Sequence, residues 1–242
     1  MRINKELPNN IKISHRGLWD KNNPENSIGA FKNSIKNNLP IELDIHLLKD
    51  NTLIVFHDDN LKRMTGLDKK IKDLTYNDIK DLHLLNTKYK IPTLQEVLKL
   101  VGGKVLLDIE LKTDVKSFKI CKELVKYLDN YKGDILIKSF NPILIAWFRF
   151  IRPNYKRGLL VSKLKKEKLP AFIKYLCFNM HFNFLVKPDF IAYNYKQLPN
   201  KKIDKLFNKG IPIYLWTIKD DYEDRSKYSG IIFEKNSIED ID

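Results

Sequence analysis

A chain of 242 residues with 43% hydrophobic, 11% aromatic and 31% charged residues is long enough for one large core and too apolar for wholesale disorder. Its formal net charge of +14, mostly lysine scattered along the chain, favours anionic partners such as phosphate esters, acidic lipid surfaces or nucleic acid, although a solvated lysine surface accounts for much of it. The two cysteines, Cys121 and Cys177, lack the paired spacing of a zinc site or a disulfide framework and read as buried free thiols of a reducing compartment.

The opening MRINKELPNN has charge but no apolar signal core, and the most apolar run, PILIAWFRFI, is too short to span a bilayer and contains Arg149, so a cytoplasmic location is expected. In chain order, apolar runs predict strands near 11–14, 40–46, 104–111, 134–139, 157–161, 189–193, 211–217 and 230–233, with an extra hairpin strand over 52–57. Helical segments fit 26–38, 94–101, 116–130, 142–151, 168–180 and 200–209. The polar, turn-rich stretch 60–92 reads as a long loop with a short helix near 76–83. This alternation predicts an α/β fold, a (β/α)8 TIM barrel with a short β-hairpin and loop inserted after strand 2, as a single domain over residues 1–242.

The stretch PIELDIHLLKDNTLIVFHDD, Pro40 to Asp59, carries the strongest chemical signal. Glu42 and Asp44 occupy positions i and i+2 of a strand, so they share a face, and two like charges there need a positive neighbour. Taking Asp50-Asn51 as a two-residue turn pairs Lys49 with Thr52 and places Asp44 opposite His57. Barrel chemistry gathers at the C-terminal mouth, where strand one ends in Ser14-His15-Arg16-Gly17 and the strand LLDIELK brings Glu110 and Lys112.

Glu42, Asp44 and Glu110 are oxygen ligands suited to a hard divalent cation, Mg²⁺ or Ca²⁺. His15 and His57 can share general-base and general-acid duty, although for either one alone a structural histidine bonded to a carboxylate is the plainer reading. Arg16 offers a fork for phosphate oxygens and Lys112 a point charge. Together these residues describe a phosphodiester site.

The runs HRGLWDKNNPENSIGAF, ELDIHLLKDNTLIVFHDDNLKRMTG, IPTLQEVL, LLDIELK, KSFNP and LWTIKD, in that order over nearly the whole chain, resemble the glycerophosphodiester phosphodiesterase family. The resemblance implies a TIM barrel with a small insertion, a divalent cation, and hydrolysis of glycerophosphodiesters to an alcohol and sn-glycerol 3-phosphate. It further implies His15 and His57 as acid and base, Glu42, Asp44 and Glu110 as metal ligands, and Arg16 and Lys112 on phosphate. Glu25 is implied to orient Arg16 or a glycerol hydroxyl, its plainer role being a helix-start acid. Trp216 and Phe140 are implied to wall the glycerol pocket, with core packing as the alternative. Near the C-terminus SGIIFEKN, with Ser229, Phe233 and Glu234, departs from the family's D-G-x-x-T-D pattern, which implies a change of rim shape or substrate preference.

Other readings stay open on the sequence. The same histidines and cation could serve a phospholipase-type phosphodiester lyase or a lysophospholipase D. A non-enzymatic basic protein binding nucleic acid or membrane would also account for the charge, but no nucleic-acid motif accompanies it, so the expected partner is a small-molecule diester. The segment Ser162 to Pro188 sets Lys163, Lys165, Lys166 and Lys168 ahead of Phe172, Tyr175, Leu176, Phe178, Phe182 and Phe184. It reads either as an ordinary barrel helix after a basic loop or as a surface for peripheral contact with anionic membrane.

Overall fold

The structure is a computed structural model that describes residues 7–112, 118–163, 170–219 and 227–234. Its elements run β1 (Ile11–Ser14), α1 (Ile28–Lys36), β2 (Ile41–Leu47), β3 (Leu53–Val55), α2 (Lys62–Thr65), α3 (Tyr76–Ile79), α4 (Leu94–Val101), β4 (Leu107–Leu111) and α5 (Lys119–Leu128). There follow β5 (Ile135–Ser139), α6 (Pro142–Ile151), β6 (Lys156–Val161), α7 (Ala171–Phe178), α8 (Asn183–Val186), β7 (Phe190–Asn194), α9 (Lys201–Asn208), β8 (Ile213–Ile218) and β9 (Gly230–Phe233). The strand order is β1-β9-β8-β7-β6-β5-β4-β2-β3, and β1 also pairs with β2, so the eight parallel strands close into the expected TIM barrel with β3 added antiparallel to β2. The residues group into two compact units, one of residues 13–135 with Glu234, the other of 7–12 with 136–233.

In the first unit, local sequence chemistry fixes the helix ends. Ser27 accepts the Ala30 N–H to start α1, while Thr93 and Glu96 form a capping box on α4, which ends at Gly102 with φ +53°. The first six residues of β2 are all buried, as befits a strand covered on both faces. Ile41, Leu43 and Ile45 therefore alternate with Glu42, Asp44 and His46 on the opposite face. In the second unit Asn141 caps α6 with Pro142 at its first turn, and Phe190 packs against Tyr214 with ring centroids 5.3 Å apart.

Several expectations need correction. The hairpin pairs Ile45 with Val55, His46 with Ile54 and Leu47 with Leu53, and the Phe56 N–H donates to the Asp44 carbonyl. Phe56, not His57, therefore stands opposite Asp44. The turn is one residue longer than a two-residue loop, Lys49-Asp50-Asn51, because Asn51 takes the left-handed region at φ +67° while Asp50 accepts the Thr52 N–H.

Residues 60–92 are also more than a loop. Leu61, Met64, Ile71, Ile79, Leu84 and Ile91 bury themselves with Leu48, Ile54 and Phe56 in a core belonging to the insertion. Its apolar residues follow neither a helical nor a strand period, so only packing reveals them. Among the thiols, Cys121 is buried and burial pushes its pKa up to about 12, but Cys177 is only half-buried because α7 buries no residue fully.

Leu61 is fully buried in the insertion core. Leu61→Ala should cost roughly 2–5 kcal/mol, the usual range for a buried leucine, read as a lowered urea midpoint. An unchanged midpoint would show that the insertion does not unfold with the barrel.

Candidate active site

The acid cluster forms because β2 and β4 run parallel with Asp44 beside Glu110 and Glu42 beside Asp108. Side chains level with one another on neighbouring strands share a face, so Glu42, Asp44 and Glu110 converge. They are 1%, 0% and 5% exposed, and one carboxylate oxygen from each lies within 4.8 Å of the others. Lys112, two residues beyond Glu110, brings its ammonium to 2.5 Å from Glu110 Oε1 and 3.1 Å from Asp44 Oδ1.

Burial alone would raise the Asp44 pKa, but the charges of Lys112, His57, Arg16 and His15 outweigh it and hold the carboxyl well below the usual carboxylate range. Lys112 mirrors this: burial opposes its charge, yet Asp44 and Glu110 push its pKa up. Three buried hard-oxygen donors at this spacing fit a divalent cation.

The turn after β1 supplies the next groups. Arg16 and Gly17 both take positive φ, +58° and +81°, and a Cβ at Gly17 would come within 2.9 Å of Ala30 Cβ, so only glycine fits there. The turn aims the Arg16 backbone N–H at Glu42 Oε2, 3.0 Å away, and the Arg16 guanidinium at Glu25 Oε1, 2.8 Å away. Arg16 Nε also stands 3.4 Å from Asp44 Oδ2. Glu25 thus contacts Arg16.

Each candidate histidine is braced at Nδ1. His15 Nδ1 is 2.6 Å from Glu234 Oε1, and His57 Nδ1 is 2.7 Å from Asp58 Oδ1. An ionised carboxylate only accepts, so each Nδ1 carries the proton. His15 Nε2 lies 3.9 Å from Glu42 Oε2, at the edge of the acid cluster. The structure thus brings His15, Arg16, Glu25, Glu42, Asp44, Glu110 and Lys112 into one network, and the charge of His57 acts on Asp44.

Phe140 and Trp216 belong to the other unit, where they meet edge-to-face at 5.6 Å and neither is fully buried.

Five further residues went unassigned by sequence reasoning. Glu234, within the departing SGIIFEKN run, keeps an acid at the end of β9 and braces His15. Ser229 of the same run accepts the Ile213 N–H. Asn26 of the PEN motif, at φ +55°, donates from Nδ2 to Asp44 Oδ2 at 3.0 Å and from its backbone N–H to the Arg16 carbonyl. Its signal was an asparagine poised for left-handed backbone beside a motif acid. Asp108 is a further buried acid alongside Glu42. His46 sets Nε2 3.2 Å from the His57 carbonyl, and burial lowers its pKa, so it stays neutral and steadies the His57 backbone.

A model of the glycerophosphoryl diester phosphodiesterase family matches residues 15–232. The chain belongs to that family. It is 31% identical over 229 residues to a glycerophosphodiester phosphodiesterase of Caldanaerobacter subterraneus subsp. tengcongensis, covering 88% of each chain. It is 28% identical over 249 residues to a human lysophospholipase D, covering 87% of this chain and 77% of that one. Among solved structures, an Oleispira antarctica phosphodiesterase in complex with the product sn-glycerol-3-phosphate shares the fold at a TM-score of 0.78 and 20% identity, with 93% of each chain covered.

The depressed pKa of Asp44 has a consequence for acid stability. A carboxyl whose folded pKa lies below its unfolded value contributes stability above the unfolded pKa, near 4, and loses it as pH falls toward the folded value. In chelator, Asp44→Asn should therefore show a shallower fall in unfolding free energy below about pH 4 than the wild type. Circular dichroism urea titrations across pH measure this, and equal slopes would contradict it.

Proposed function

We propose that this chain hydrolyses glycerophosphodiesters to an alcohol and sn-glycerol 3-phosphate, working as one catalytic domain over residues 1–242. The observation that carries this reading is the convergence of three buried carboxylates with two cations, Arg16 and Lys112, beside histidines braced at Nδ1. Glu42, Asp44 and Glu110 would hold Mg²⁺ or Ca²⁺, which when bound polarises a phosphoryl oxygen and offsets the repulsion among its ligands. Arg16, fixed by Glu25, presents its fork to phosphate, and Lys112 adds a point charge beside it.

His15 and His57 divide the proton transfers, one taking the proton from the attacking water and the other protonating the leaving alkoxide. Glu234 and Asp58 hold their tautomers. Free thiols at Cys121 and Cys177 support a cytoplasmic setting.

Exhaustive chelation should abolish release of glycerol 3-phosphate from a diester panel, and Mg²⁺ or Ca²⁺ should restore it. His15→Ala and His57→Ala should each lower kcat by roughly 10²–10⁴. Full turnover after chelation would remove the cation from the reaction, and a near wild-type kcat would remove that histidine. A released cyclic phosphate carrying no label from ¹⁸O-water would instead identify a lyase.

A second partner, anionic membrane, is favoured by one feature of the α6–α8 segment. Although α7 is predominantly apolar, it buries no residue fully: Phe172 and Tyr175 are 68% and 59% exposed, and Phe184 of α8 is 77% exposed. Residues 142–163 and 170–188 hold seven lysines and arginines and no acid. Lys163 is described, with its ammonium 5.6 Å from the Phe178 ring, while Lys165, Lys166 and Lys168 lie outside the described residues. Exposed aromatic side chains on a segment with an excess of cations suit the interface of an acidic bilayer.

Phosphatidylserine vesicles should therefore co-sediment with the wild type at low salt and release it at high salt. Changing the four lysines to glutamine should weaken capture, at about 1 kcal/mol per lysine near the surface. Equal sedimentation of both proteins, or self-association that buries the aromatic residues, would count against a membrane partner.

A further inference from the structure

The insertion reaches into the catalytic network through one side chain. Arg63 sits in α2 between Leu61 and Met64, which are 0% and 2% exposed and locked into the insertion core. From that anchored position its guanidinium grips two carboxylates. Nε and NH2 donate to Asp58 Oδ2 and Oδ1 at 2.6 and 3.1 Å, and NH1 and NH2 donate to Glu25 Oε2 and Oε1 at 3.1 and 2.6 Å. Asp58 Oδ1 is the oxygen that braces His57 Nδ1, and Glu25 Oε1 is the one that holds Arg16 NH1.

We propose that Arg63 is a positioning residue that fixes His57 and Arg16 together from the inserted lobe, through Asp58 and Glu25. Neither catalytic group touches Arg63; each touches an acid that Arg63 holds. The chemistry needs an arginine. Two forks on two carboxylates use the planar set of guanidinium donors, and an ammonium cannot reproduce both.

The charge balance points the same way. Burial raises the pKa of Asp58, and bonds from His57 and Arg63 more than reverse it; Glu25 is likewise depressed against its burial by Arg63 and Arg16. Without Arg63 the two acids would face each other as like charges, and both would be free to swing away from their catalytic partners.

The neighbouring pair shows that this is no ordinary surface contact. Lys62 meets Asp68 at 2.8 Å with both side chains more than 60% exposed, a geometry that contributes little. Glu25 and Asp58 are only 13% and 25% exposed, and Glu25 lies 38 residues from Arg63 in sequence. The sequence places Arg63 in the NLKRMTG run with no role attached, because its partners come from separate loops.

The inference rests on the proposed roles of His57 and Arg16, so the experiment reads geometry and turnover separately. In imidazole ¹H–¹⁵N spectra, with the His57 signal assigned by His57→Gln, the wild type should show a slowly exchanging Nδ1 proton that Arg63→Gln loses. With any diester that the wild type turns over, Arg63→Gln should lower kcat/KM by about 10–100-fold, within the span seen when a supporting partner is removed. Arg63→Lys, which keeps charge and stem, should recover part of both readouts, and it serves alone if the glutamine variant does not fold. Combining Arg63→Gln with Asp58→Asn should cost less than the product of the single losses, because both act through His57. A folded Arg63 variant with wild-type spectrum and kinetics, or strictly multiplicative losses, overturns the positioning role. If the wild type turns over no diester, the proposed activity fails, and the Nδ1 signal of the Arg63 variants still decides the positioning role.

Discussion

Three carboxylates that are almost fully withdrawn from water, close enough to share one ion, set the terms for everything around them. Ionised acids at that depth are costly unless cations and donors compensate them, and the first unit is arranged to do so. Lys112 lies between Glu110 and Asp44, Arg16 lends both a backbone N–H and its Nε, and Asn26 donates to Asp44. The left-handed backbone at Arg16 and Asn26 follows from that need, since each points a donor at an acid. Backbone conformations that are unfavourable by themselves are held by the charges they serve.

The histidines obey a related constraint. Each imidazole commits its Nδ1 to a carboxylate, which fixes the orientation of the ring. The two braces differ in origin. Asp58 is the next residue along from His57, whereas Glu234 lies 219 residues from His15 and is delivered by the end of the last barrel strand. A barrel in which chain ends meet at one rim makes the second brace attainable.

The insertion has a double character. Its own apolar cluster gives it a defined shape, and its one outward arginine reaches carboxylates that support the site. A loop without a core could not hold a guanidinium to two forks at once, because the entropy of fixing that side chain would have no packing to set against it. The small core of the insertion is thus tied to the acid network through Arg63.

What could be read from the chain alone followed periodicity and local chemistry. The eight strands, the helices starting at Ser27, Thr93 and Asn141, and the two-residue spacing of Glu42-Asp44 and Glu110-Lys112 are all properties of short windows, where strand alternation and caps act. The hairpin register escaped because one left-handed asparagine lengthens a turn by a residue, and a one-residue slip changes every partner. The insertion core escaped because its apolar spacing has no period. Asn26, Glu234 and Arg63 were visible as letters but not as roles, since each acts on a group brought near only by the fold: Asp44, His15, and the pair Glu25 and Asp58. The sequence by itself determined which acids and histidines exist and which face of a strand they share. Tertiary structure decided which carboxylate braces which histidine and which cation answers which acid, because hydrogen bonds and Coulomb attraction at this range depend on distances that only long-range packing sets.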